Sequence, residues 1–219
     1  MGYQTMDSEI CPTFKKKETQ FGTPEIKGNL HLDEKYINVK GKYCYDLNVI
    51  DRKTKFVLSE LFVRQRTISK CKTLLNKIKM WCYQQIMLLY RQGLTVIKFV
   101  ADNFSNYHTA WKRILARITT MDAGVPITCK KYGLHHNNNC IERYNREITR
   151  RMDAIDVFQT FDGAKDFFAL RTIVYNYVNP HNSLKGKTSA EAAGIILDLG
   201  QNKLLSLITH ARKIEMTLK

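Results

Sequence analysis

The sequence predicts an α/β protein built on a mixed five-stranded sheet flanked by helices. Three features point there: consecutive β-rich runs between residues 30 and 63, an amphipathic helical period over 67–92, and a nearly continuous apolar run, TVIKFVA, that leads directly into an acidic residue. Residues 1–29 are polar, carry Lys15, Lys16 and Lys17, and are punctuated by Pro12, Gly22, Pro24 and Gly28, which marks an arm or linker. NLHLDEKYINV, KYCYDLNVID after Gly41, and KFVLSELFV after the turn-like Asp51-Arg52-Lys53-Thr54 then read as a three-stranded antiparallel meander. Apolar positions at Ile68, Cys71, Leu74, Leu75, Ile78, Cys82, Ile86 and Leu89 recur every three or four residues, one face of a helix that Gly93 would stop. The fourth strand is TVIKFVA, with Asp102 at its C-terminal end. A helix near 104–119, a short strand around Ile127 to Cys129, a polar loop KKYGLHHNNN and a helix from about Asn139 to Asp153 follow, the last capped by Asn138 or Asn139. Further helices are expected at 163–178, 189–198 and 203–216.

Thirty-five Lys and Arg against 20 Asp and Glu leave a net charge of +15, which points to a polyanionic partner, nucleic acid before an anionic membrane surface. A 44% hydrophobic and 25% charged composition over 219 residues is that of a globular protein with a sizeable core, and it excludes wholesale disorder. No apolar run approaches the roughly 18 residues of a spanning helix, and the first residues lack a signal-peptide pattern, so a cytoplasmic protein without membrane contact is expected. The six cysteines form no CxxC pair, and reduced thiols acting as small core hydrophobes are the default.

Three carboxylates fall at informative places: Asp33 inside the first strand, Asp102 at the end of the fourth, and Glu142 in the first turn of the helix after the polar loop. Phosphoryl-transfer enzymes with two metal ions need carboxylates converging from separate rigid elements, because Mg²⁺ prefers oxygen ligands and keeps water and phosphate in its other positions. Each residue also has an ordinary structural use. An Asp in a strand can face water on an edge, an Asp closing a strand is a common turn residue, and a Glu in a first helical turn suits the helix dipole.

HLDEKYINVKGKYCYDLNVIDRKTKFVLS resembles the opening of the catalytic core of DDE-type insertion-sequence transposases and integrases. VADNFSNYHTAW resembles the segment around their second Asp, and HHNNNCIERYNREITRRM the helix that carries their Glu. VYNYVNPHNSLKGKTSAEAAGI is similar to the tail of bacterial and archaeal members, with Ser189 where Pro is common. The likeness runs from about residue 28 to 196, with 39 residues between Asp102 and Glu142. It implies a ribonuclease H-like fold over residues 30–196, a basic helical extension over 197–219, and Asp33, Asp102 and Glu142 as catalytic residues holding two Mg²⁺, with Mn²⁺ as substitute. The implied chemistry is cleavage at transposon ends and strand transfer into target DNA, by a homo-oligomer of dimeric or larger size working at the prokaryotic nucleoid.

On the Glu142 helix, Ile141, Tyr144, Ile148 and Met152 form a core-facing stripe, which leaves Glu142, Arg146 and Arg150 on one ridge. With Lys130, Lys131, Arg143 and Arg151 this neighbourhood is strongly basic, and phosphate contact is its natural use, although a solvated helix face with a Glu147–Arg151 ion pair would also fit. His135 and Asn139 would position the DNA strand by resemblance. Zinc at His135, His136 and Cys140 is disfavoured, because adjacent histidines diverge and no fourth ligand lies nearby in sequence. Tyr107, Trp111 and the Asn179-Pro180-His181 segment are expected to pack.

Relatives of this type carry an N-terminal helix-turn-helix region, which residues 1–29 are too short and too interrupted to form; the departure leaves three readings, an N-terminally truncated transposase, a catalytic-core fragment, or a form that relies on another subunit for recognition of element ends. Two other readings stay open: a catalytically silent transposase-derived DNA-binding remnant, and a structure-specific ribonuclease H-like nuclease.

Overall fold

The computed structural model describes residues 21–93, 96–102, 104–124, 139–152 and 157–209. Strands β1 (Leu30–Val39), β2 (Lys42–Asp51), β3 (Val57–Val63), β4 (Ile97–Ala101) and β5 (Thr119–Ala123) form one sheet in the order β3-β2-β1-β4-β5. The first three are antiparallel, whereas β4 pairs parallel with both β1 and β5. β1 and β2 join through Lys40 and Gly41, both at positive φ, the geometry of a two-residue turn whose twist matches its strands.

Strand alternation divides the sheet into two cores. Leu30, Leu32, Leu47 and Val49 pack under α1 (Ile68–Arg91), which contributes Cys71, Leu74, Leu75, Ile78, Cys82 and Ile86, and under α2 (Ser105–Ile114), which contributes Tyr107 and Ala110. On the other face Ile37, Val39, Cys44, Ile50 and Phe62 meet Ile141, Tyr144 and Ile148 of α3 (Asn139–Met152) and Ala164, Phe168 and Tyr175 of α4 (Phe161–Tyr177). The stripes expected on α1 and α3 are therefore the buried ones. Each large aliphatic taken fully out of water contributes about 1.5–3 kcal/mol, so these two layers carry most of the stabilisation. α1 starts where the Thr67 hydroxyl accepts from the Lys70 N–H, and stops at Gly93, whose φ of +64° side chains resist.

Two boundaries differ from expectation. The helix expected to run to 119 ends at Ile114, and Thr119–Ala123 is the fifth strand. Its sequence, TTMDA, is short and half-polar, and pairing with β4 along a parallel edge makes it a strand, helped by Thr119 Oγ1 accepting from Trp111 Nε1 at 2.9 Å and donating to the Leu115 carbonyl at 2.8 Å. The strand expected around Ile127 lies outside the described residues. The helix expected over 189–198 is only α5 (Ser189–Ala192): a Thr188–Glu191 capping box starts it, and Gly194 at φ +81° ends it. Residues 203–209 are helical, and the remainder of that expected helix is outside the described residues.

Of the expected N-terminal arm, residues 21–29 lie along the core. Ile26 is buried, and Asp51 accepts from the backbone N–H groups of Lys27 (2.7 Å) and Gly28 (3.3 Å). A Cβ at Gly28 would come within 2.8 Å of Asp51 Oδ1, so this approach needs glycine. Cys44, Cys71 and Cys82 are buried free thiols, and burial pushes Cys71 and Cys82 up to about 12, as core hydrophobes. Among the described residues no helix is long and apolar enough to cross a membrane.

Candidate functional site

The central strand β1 supplies two adjacent carboxylates, and alternation sends them to opposite faces of the sheet. Asp33 turns toward α3, where its Oδ2 accepts from Asn145 Nδ2 at 2.9 Å. Glu34, only 8% exposed, turns toward α2, where Tyr107 Oη donates to it at 2.9 Å and Arg66 forms an ion pair with it. Leu32 is in register with Ala101, the last residue of the parallel strand β4, so Asp33, continuing β1, lies beside the point where Asp102 leaves β4. Asp102 Oδ1 accepts the N–H of Phe104, the residue that caps α2. One ligand oxygen from each of Asp33, Glu34 and Asp102 lies within 4.8 Å of the others.

Glu142 sits in the first turn of α3 and lines an open cavity of about 470 Å³ together with Asp33, Glu34, Tyr36, Asn145 and Arg146. The structure thus brings Asp33 and Asp102 into a tight group and sets Glu142 on the same cavity, outside that group. Glu34 holds the third place in it. Sequence reading missed Glu34 because alternation argues against two neighbours serving one site. Where β4 ends beside β1, however, a carboxylate from either face can approach Asp102. It also missed Asn145, which follows Glu142 by one helical turn, and Arg66. Tyr107 is buried as expected, but its hydroxyl serves Glu34.

Crowded acids in a half-buried setting resist ionisation. Asp33 is raised to about 7, first by burial and then by Glu34 and Asp102, against the opposing backbone N–H of Glu34 and the Asn145 amide. Glu34 is raised by burial and by Asp102, while Tyr107 and Arg66 pull the other way. A divalent cation would relieve this repulsion, and an all-oxygen donor set suits Mg²⁺ or Mn²⁺ rather than a thiol-seeking metal.

The basic ridge is exposed as expected at Arg143, Arg146 and Arg150, and Arg146 lines the carboxylate cavity. Arg151 belongs to α3. Asn139 opens that helix and is half-buried, with an Oδ1 that has no hydrogen-bond partner among the described residues. Lys130, Lys131, His135 and His136 lie outside the described residues. Lys35 Nζ donates to Thr149 Oγ1 at 2.8 Å, a second tie between β1 and α3.

Residues 28–181 match a family model described as a DDE domain. No curated protein matches the chain. Among solved structures, a chain of the simian T-cell lymphotropic virus intasome in complex with PP2A regulatory subunit B56 gamma aligns with a TM-score of 0.50 at 12% identity, over 84% of this chain and 63% of that one. The HTLV-2 integrase catalytic core domain in complex with magnesium aligns at 0.46 and 15% identity, over 77% and 97% of the two chains. The Mos1 transposase catalytic domain with raltegravir and Mn aligns at 0.47 and 10% identity, over 83% and 82%. At such identities the likeness is one of fold, the ribonuclease H-like arrangement of a mixed sheet between helical layers.

Proposed function

This chain belongs to the DDE-domain family of transposases, which act in DNA transposition and recombination, and on that premise we propose that its carboxylate cavity cuts and joins DNA strands with the help of divalent cations. The observation that carries this reading is the convergence of Asp33, Glu34 and Asp102 within 4.8 Å, beside a cavity that Asp33, Glu34 and Glu142 line together. Asp33, Asp102 and Glu142 would hold two Mg²⁺ or Mn²⁺ ions, with Glu34 available beside them. Bound there, the ions would supply Lewis acidity at the scissile phosphate and ease deprotonation of the attacking hydroxyl.

The protein's own groups do the positioning. Asn145 orients Asp33 from the Glu142 helix, the Phe104 N–H holds Asp102, and Tyr107 with Arg66 fixes Glu34. Arg143, Arg146, Arg150 and Arg151, joined by Lys130, Lys131, His135 and Asn139 around the loop, would track the DNA backbone, a role that the +15 net charge supports. Attack of water on the scissile phosphate would free a 3′-hydroxyl and leave a 5′-phosphate, and attack of that hydroxyl on a target phosphodiester, displacing the target's own 3′ oxygen, would complete the transfer without a covalent protein intermediate. In this reading residues 30–196 are the catalytic core, 1–29 an arm and 197–219 a basic extension. The assembly is a homo-oligomer on DNA in the prokaryotic cytoplasm.

The test incubates the parent protein and Asp102→Asn with supercoiled plasmid in Mn²⁺ or EDTA, and measures binding to the same DNA. Nicking is expected only from the parent and only with the cation, while the variant binds DNA equally or slightly more tightly, having lost one negative charge. Nicking by the variant, or nicking in EDTA, would remove Asp102 and the cation from the chemistry.

A further inference from the structure

The β1–β2 hairpin extends beyond the helical layer that covers its Glu34 face. On the opposite face Ile37, Val39 and Cys44 are buried beneath α3 and α4, but on this one Tyr36 is 50% and Tyr43 69% exposed. Register places Tyr36 opposite Tyr45, and Asn38 opposite Tyr43, so the three tyrosines share one face. Tyr36 meets Tyr45 edge-on at 5.1 Å between ring centroids and Tyr43 at 6.5 Å. Arg66 braces Tyr36 and Tyr45: its guanidinium carbon lies 5.1 Å from the Tyr36 centroid, 4.9 Å from Tyr45 and 4.3 Å from Phe104. Arg66 is itself tied to Glu34, and its carbonyl accepts from Asn106 at 2.7 Å. The row begins in the carboxylate cavity, which Tyr36 lines, and ends at the hairpin tip with exposed Lys40 and Lys42.

A solvent-facing strand face calls for polar residues, and one that carries aromatic rings, a braced guanidinium and lysines offers π-faces and positive charge together. Rings held in place by their neighbours lose little freedom on binding. Nucleic acid matches both properties, and only an unstacked base can present its ring face, because duplex bases are stacked on one another. We propose that Tyr36, braced by Tyr45 and Arg66, and Tyr43 beside it form a ledge that stacks an unpaired base of the DNA strand entering the carboxylate cavity. The proposal rests on the reading of that cavity as a DNA-cutting site, and it adds that the substrate is locally unpaired on the hairpin side. Tyr43 then takes the outer base and Tyr36 the one beside the scissile phosphate.

The experiment uses the full chain in EDTA, with a forked duplex that carries a stacking-quenched fluorescent adenine analogue in its unpaired arm, and a blunt duplex of equal length. The parent is expected to quench the analogue and to prefer the fork by about tenfold or more. Tyr36→Ala with Tyr43→Ala should remove both the quenching and the preference, whereas Tyr43→Phe, which keeps the ring, should retain them. Arg146→Ala with Arg150→Ala should weaken binding to both duplexes and leave the preference intact. Equal affinities in the parent, or quenching unchanged in the double tyrosine variant, would overturn the ledge. A fall in oligomeric mass in that variant with quenching unaltered would also overturn it, by making this face a joint between copies. Plasmid nicking measured alongside separates the two ideas. Quenching without nicking keeps the ledge and sinks the catalytic reading, while nicking with no fork preference does the reverse.

Discussion

Asn145→Ala tests whether the Glu142 helix and the central strand are joined through the Asp33 carboxylate. Asn145 Nδ2 donates to Asp33 Oδ2 at 2.9 Å, and among the described residues its own Oδ1 is buried with no partner. A hydrogen bond to a charged group contributes about 1.5–3 kcal/mol, and at about 2–4 °C per kcal/mol for a chain of this size its loss should lower the melting temperature by about 3–12 °C. Removing the unpartnered Oδ1 offsets part of this, which favours the lower half of the range. The penalty should depend on pH in a stated direction. Asp33 titrates in the fold at about 7, above its ordinary 3.8, so the cation-free protein loses stability as pH rises from about 4 through about 7. The Asn145 bond favours the ionised form, so its removal raises Asp33 further, and the cost of the substitution should be larger near pH 8.5 than near pH 6. Thermal melts in EDTA at both values, with Asp33→Asn and the double variant, complete the assay. In the Asp33→Asn background the bond joins neutral groups worth about 0.5–1.5 kcal/mol, so a coupling of about 1 kcal/mol is expected at the higher pH. Additive effects there, or equal melting losses at both pH values, would refute the link.

Asp46 is fully buried and accepts from Asn48 at 2.8 Å, and burial raises its carboxyl to about 6. The fold therefore favours its neutral form, and stability measured by denaturant titration should shift in favour of Asp46→Asn over the parent as pH rises from about 4 to about 7. Parallel profiles would contradict this. Arg146→Ala with Arg150→Ala should flatten the dependence of log affinity on log salt by roughly one to two units across DNA sequences, and an unchanged slope would take the ridge out of the DNA path.

The sheet and its two covering layers were legible in the sequence because each depends on local periodicity. β2 occupies the full KYCYDLNVID run, and the α1 and α3 stripes are the buried faces, since an apolar side chain every three or four residues has only one way to leave water. β5 was not legible: TTMDA has little strand character of its own and is extended because β4 offers it an edge. The overlong α5 failed for a related reason, since an apolar run continued past Gly194 after the backbone had turned.

At the site, the sequence put Asp33, Asp102 and Glu142 on three separate elements and its resemblance to the family joined them as a set, while residue type alone marked the arginines of α3 and the charge that asks for a polyanion. The tertiary structure alone decided that Glu34 joins Asp33 and Asp102, that Asn145 ties the Glu142 helix to β1, and that tyrosines on two strands form one ledge with Arg66. Charge and periodicity are properties of a residue and its near neighbours along the chain. A shared proton affinity, a hydrogen bond across 112 residues or a ring stacked across a hairpin exists only once β1, β2, β4 and α3 have been brought together, and the energies that bring them together are spread over both cores.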